Sequence, residues 1–439
     1  MRFHSVPLGL AVLLLQPFSL YAQPAPAPLS DPAFIAGSPT VAPMLTLAGA
    51  IERAFQHNPG LRAARRDIDI ASSQRMQAGK IPNPEVSYLR EGQQKDRRTT
   101  TVQLNQEIEL GGKRGARIAS ADRELDIATA DVATYRATLR ADVVTAFFDV
   151  LAAQERLTLA QASQELSQRV TGAASRRVTA GKISPVEETR ARVAEASTKI
   201  ELSQAANELA LARQRLGATW GNKLGSAETL EAPQGLIGAH PTTAELLAHL
   251  PGSPQLARAR LEIERQRALT DVERSRRIPN LTLSIGSKRD EQVGVRQTIV
   301  GLSVPFPLFD RNQGNILSAL RRADKARDEL VVAETSLSVE LTQASLRLDS
   351  ARGELVVLRN EILPGAQSAY EAATKGFELG KFNFLDVLDA QRTLNQAKSQ
   401  YIRALAESHR AAADIERVVG NVEQHGRLIN PTVSNQEQK

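Results

Sequence analysis

Asp386 and Asp389 stand three residues apart in a segment of helical pattern, so their carboxylates share one helix face. Such a pair could gather cations, or it could be two solvated acids near a helix N-terminus, where the helix dipole favours them. Each of two short turns precedes an acid: Gly181-Lys182-Ile183-Ser184 before Glu187, and Gly380-Lys381-Phe382-Asn383 before Asp386. Glycine permits a tight reversal, and Ser184 and Asn383 can cap the helices that follow, a role compatible with partner contact at the same residues. Other chemistry is missing. Cysteine is absent, which excludes disulfides and thiolate metal sites, and the six histidines are scattered without ligand spacing. No nucleophile and base are paired and no phosphate loop is present. Catalytic residues, cofactors and a bound metal are therefore not expected.

The elements that must position these turns come from a duplication. Leu104, Ile108, Leu110 and Ile118 recur as Leu302, Phe306, Leu308 and Ile316, a shift of about 198 residues. Ile81-Pro82-Asn83 recurs as Ile278-Pro279-Asn280, and the two turns recur in the same order. Each copy holds a helix, a strand pair, a very long helix and a return helix. Alternation of Val102, Leu104, Ile108 and Leu110 with Thr101, Gln103, Asn105 and Glu109 predicts a strand with one apolar side, and Val86 and Tyr88 mark its partner. The long helices carry seams in alternating steps of three and four: Ile118, Ala121, Leu125, Ala128, Val132, Tyr135 and Leu139, then Ile316, Ala319, Ala323, Ala326, Leu330, Ala333 and Leu337. Both seams lose their apolar residue at one corresponding place, Asp142 and Glu340, where either the seam drifts to the surface or an acid lines a lumen.

These signals divide the chain as follows. Residues 1–22 read as an export signal, with Met1-Arg2, an apolar run from Leu8 to Leu15 and Ala22 at the cleavage point; 23–43 form an extended lead. The first repeat is 44–217, with β-hairpin 84–110, long helix 114–177 and return helix 185–216. A connector, 218–242, leads to the second repeat, 243–420, with β-hairpin 279–308, long helix 314–375 and return helix 384–418; a polar tail, 421–439, follows. Lys and Arg total 55 against 49 Asp and Glu, but an exported chain with both signs mixed along its helices argues against a nucleic-acid partner. Four strands with one apolar face cannot close a membrane barrel, whose smallest single-chain form needs about eight, so such a chain must associate. The soluble alternative is that each hairpin lies on a helix.

Two segments carry a family resemblance. Ile81-Pro82-Asn83-Pro84-Glu85 with Gln106-Glu107-Ile108-Glu109-Leu110-Gly111-Gly112-Lys113-Arg114, and Gly380-Lys381-Phe382-Asn383-Phe384-Leu385-Asp386-Val387-Leu388-Asp389-Ala390-Gln391, resemble the TolC-like outer-membrane efflux proteins. Within them the chain is most similar to the outer-membrane components of cobalt-zinc-cadmium resistance pumps. The resemblance implies a mainly α fold with a membrane β-barrel: a homotrimer closing a twelve-stranded barrel in outer-membrane lipid and a periplasmic barrel of coiled-coil helical hairpins. It implies a passive conduit of a Gram-negative bacterium, docked through Gly181, Lys182, Ser184, Gly380, Lys381 and Asn383 onto a periplasmic adaptor and an inner-membrane proton-driven (RND-type) pump. Asp386 and Asp389 then match acids that ring the periplasmic entrance, and Glu187 the acid engaged by the gate. The family's tyrosine and arginine locks are replaced by Phe377 and Phe382, so the closed state is expected to be held differently. Heavy-metal cations are the expected cargo, with specificity belonging to the pump. Export of organic compounds, a periplasmic adaptor and a coiled-coil scaffold are the alternatives.

Overall fold

The computed structural model describes residues 44–222, 229–231, 241–379, 381–382 and 384–420. The export signal 1–22, the lead to residue 43, most of the connector, Gly380, Asn383 and the tail 421–439 lie outside the described residues.

The first repeat opens on β1 (Met44–Leu45), α1 (Leu47–His57) and α2 (Pro59–Ala78). Asn58 separates the two helices: its Oδ1 caps α2 by accepting from the Leu61 N–H at 2.7 Å, and its amide donates to the Thr219 carbonyl at 2.7 Å. A hairpin of β2 (Glu85–Glu91) and β3 (Thr99–Ile108) follows, then α3 (Lys113–Thr179) and α4 (Pro185–Ala218). At 67 residues, α3 is about 100 Å long. The short β4 (Thr229–Leu230) pairs parallel with β1. The second repeat comprises α5 (Thr243–His249), α6 (Pro254–Ser275), β5 (Leu281–Asp290), β6 (Val295–Ser303), α7 (Gln313–Val357), α8 (Leu363–Glu378) and α9 (Phe384–Val419).

Two elements differ from the pattern in the sequence, and proline causes both. The alternation through Val304, Phe306 and Leu308 does not stay in the sheet; β6 stops at Ser303 because Pro305 and Pro307 have no N–H to give a ladder. The second long helix is interrupted by a π-helical turn, Leu358–Ile362, before α8 resumes. Pro364 sits at the start of α8, where its ring and missing N–H would break the regular ladder to the preceding turn, and the widened turn absorbs it.

Packing follows the small residues of the seams. Ala319, Ala323, Ala326 and Leu337 are buried along α7, and Ala128 and Leu139 along α3, so backbones approach closely without large side chains. The largest core lies where α3 meets the second half of α9 and the middle of α7, around Phe147, Phe148, Leu341, Leu348 and Ile415. Ion pairs tie the same region: on α9, Arg410 binds Asp149 of α3, and Arg417 binds Glu340 of α7. Thus Glu340, one of the two seam acids, is neutralised by α9, whereas Asp142 lies exposed. His409 is buried with its ring stacked on Phe148 at 3.7 Å, and burial pushes its pKa down to about 4, so it is neutral at ordinary pH.

Candidate functional site

Strands β2, β3, β5 and β6 form one antiparallel sheet in that order, so the central pairing, β3 with β5, joins the two repeats. Its register stacks Val86, Leu104, Ile285 and Val300 in one row across all four strands. All four are exposed, from 43% for Leu104 to 74% for Val300, and Leu283 and Leu302 extend the band. No described helix packs on this face, so among the described residues the hairpins do not lie on a helix. The adjoining row is amphipathic, with Tyr88, Val102, Ser287 and Thr298, and the next carries Arg90, Thr100, Arg289 and Arg296. The apolar band therefore ends in arginines about 14 Å beyond the Leu104 row. The opposite face is polar: Glu85, Asn105, Ser284 and Gly301 share a row, and Ser284 hydrogen bonds Asn105 at 2.8 Å. The sheet thus has one apolar and one polar face, and it leaves the outer edges of β2 and β6 without partners among the described residues. None of the described helices is long and apolar enough to cross a membrane.

At the other end of the long helices lie the two turns. In the first, Gly181 takes a left-handed φ of 70°, the Gly181 N–H donates to Val178 at 2.9 Å and the Lys182 N–H donates to Arg177 at 2.9 Å. Ser184 caps α4 by accepting from Val186, and Glu187, in the first turn of α4, binds Arg190 at 3.3 Å. In the second, the Lys381 and Phe382 N–H groups both donate to the Gly376 carbonyl. The Phe382 ring fills the space where a side chain at position 376 would stand. Asp386 and Asp389 lie exposed in the first two turns of α9, and Gly380 and Asn383 fall outside the described residues.

The two turns meet across a cleft of about 590 Å³ lined by Val170, Ile183, Glu187, Tyr370, Phe377 and Phe382. Arg177 of α3 crosses it and sets its guanidinium 4.7 Å from the Phe377 ring centroid on α8. Sequence inspection finds the phenylalanine but misses the arginine, since only the fold brings residues two hundred apart in sequence into contact. An arginine–aromatic pair thus spans the two hairpins at the position where the sequence lacks a hydrogen-bonded tyrosine. Among the described residues no group of three or more His, Asp or Glu could hold a metal ion.

Comparison with known proteins agrees with this geometry. A family model described as outer membrane efflux protein matches twice, at residues 50–222 and 248–421, once per repeat. The cobalt-zinc-cadmium resistance protein CzcC of Cupriavidus metallidurans is 46% identical over 423 residues, covering 96% of this chain and 100% of that protein. Among solved structures, the outer-membrane channel OprN is 21% identical with a TM-score of 0.72, over 85% of this chain and 89% of that one. CusC is 17% identical with a TM-score of 0.71, over 88% and 95%.

Proposed function

Because this chain belongs to the outer membrane efflux protein family, whose members are outer-membrane channels, we propose that it is the outer-membrane conduit of a three-part, proton-driven export system for heavy-metal cations. The observation that carries the reading is the four-stranded sheet, apolar on one side and polar on the other, feeding helices about 100 Å long. Three copies would supply twelve strands, pair every edge and place the polar face around a wet lumen. The helical hairpins would then continue into the periplasm, where the turns at Gly181, Lys182 and Ser184 and at Lys381 face an adaptor and, beyond it, a pump. Kinship with CzcC supports the metal cargo. Detergent extraction from outer membranes followed by planar-bilayer recording tests the conduit: a trimer with discrete conductance is expected, and a soluble monomer without conductance would overturn it.

The acids and the aromatic pair have separable roles. In a trimer, Asp386 and Asp389 contribute six carboxylates to the periplasmic entrance. A charge about 4 Å from a bound cation contributes on the order of 1 kcal/mol even in bulk water, so Asp386→Asn with Asp389→Asn should weaken block by a trivalent cation at least about tenfold. Unchanged block in single-channel recordings would remove these acids from the entrance. Arg177 on Phe377 holds the two hairpins together at the same end. An exposed cation–π contact contributes about 0.5–1 kcal/mol, so Arg177→Gln should raise open time about two- to fivefold. Equal open times in both channels would exclude the pair from the gate.

A further inference from the structure

The two repeats are fastened within one chain by a polar clasp, and each free edge of the chain carries half of another. Asn280 donates from Nδ2 to Glu107 Oε1 at 2.5 Å and accepts from Lys113 Nζ. Two residues earlier, Ile278 sits so close over Gly111 that a Cβ there would come within 2.7 Å of the Ile278 Cβ. The duplication maps Lys113 onto Arg311, Gly111 onto Phe309, Asn280 onto Asn83 and Ile278 onto Ile81. The mapped pieces lie on opposite edges of the sheet, Asn83 and Ile81 just before β2 and Phe309 and Arg311 just after β6. Their exposure is the telling contrast. Lys113 and Asn280 are half-buried and bonded, whereas Arg311 and Asn83 are exposed and their side chains have no partner among the described residues. Ile81 is 65% and Phe309 90% exposed.

We propose that Arg311 of one copy fastens to Asn83 of the next, with Phe309 seated against Ile81, so that a second clasp closes each seam between copies. This rests on the trimer reading and specifies its contact. Shifting the β3–β5 register by the repeat sets β6 antiparallel to β2 with Leu302 opposite Tyr88 and Val304 opposite Val86. That register keeps the apolar band unbroken across the seam. The helices repeat the logic: α6 packs against both α3 and α7, but among the described elements α2 packs extensively against α3 alone. Ile70 and Met76 are left exposed on α2, and Leu317 and Leu320 on α7, as matching surfaces. Chemistry differs between the clasps in one respect. Pro305 stands where Glu107 would be, so the seam between copies lacks the carboxylate and relies on Phe306, Phe309 and the planar fork of Arg311.

The natural absence of cysteine makes a direct test available. Ile81→Cys and Phe309→Cys in one chain lie on opposite edges of a four-stranded sheet, about 14 Å apart at 4.8 Å per strand, too far for a disulfide within a copy. Oxidation of outer membranes should move most of the doubly substituted chain to dimer and trimer positions on a non-reducing gel. Reduction should return it to monomer, and neither single variant should shift. The size of each variant in detergent is measured alongside. An intact trimer that stays uncross-linked overturns the clasp and leaves the trimer standing; an unsubstituted chain that is monomeric in detergent overturns the trimer itself.

Discussion

Leu104→Arg should abolish assembly of the chain in the outer membrane. The residue sits in the centre of the aliphatic row, between Val86 on β2 and Ile285 on β5, on the face that the fold leaves uncovered. An arginine facing lipid near the midplane of a barrel costs about 2–4 kcal/mol, and three copies would repeat the cost around one barrel, for about 6–12 kcal/mol in all. Gln103→Arg is the control, because its neighbours across the strands are Ser87 and Gly286 on the polar face. It should insert normally and alter only conductance. Membrane fractionation with a gel assay for trimers reads both. Leu104→Arg accumulating in outer membranes at the unsubstituted level would mean that this face does not meet lipid.

The contrast between positions 103 and 104 was legible in the sequence, because a period of two needs only a handful of residues to declare itself. The same holds for the seams: Ala319, Ala323 and Ala326 are buried as their spacing of three and four requires. Prolines were equally visible, yet their consequences were not drawn from spacing alone. Apolar alternation argued for a strand through Leu308, but a missing N–H at Pro305 and Pro307 outweighs side-chain pattern in deciding where a ladder ends. At Pro364 the seam continued on both sides, and the local break became a π-helical turn rather than a stop. What no local pattern could supply was pairing between distant segments. Arg177 meets Phe377 only because two hairpins converge, and Lys113 meets Asn280 only because β3 pairs with β5. The duplication partly restores that information, since a contact seen inside the chain predicts its equivalent between chains.

Arg140→Met should destabilise the helical body more than loss of any surface ion pair. Arg140 on α3 donates from Nε to Glu416 Oε2 on α9 at 3.0 Å, and the glutamate side chain is only 2% exposed. Its other oxygen has no hydrogen-bond partner among the described residues. Removing the arginine strands an ionised carboxylate in the core, at a cost of about 3–5 kcal/mol. Burial already raises the Glu416 pKa, with Arg140 opposing that shift through its charge and hydrogen bond. A carboxyl whose pKa is raised on folding favours the folded state when protonated, and that contribution is lost as pH rises through the folded-state value. Without Arg140 the folded-state value rises further, so the variant should regain stability as pH falls from neutral, more than the unsubstituted chain does. Arg140→Met with Glu416→Leu fills the same space with apolar atoms and should recover most of the loss at neutral pH. Thermal unfolding followed by circular dichroism in detergent distinguishes the cases. If the double variant is no more stable than Arg140→Met, the loss comes from packing around α3 rather than from an unpaired charge, and the pair is not what ties α9 to it.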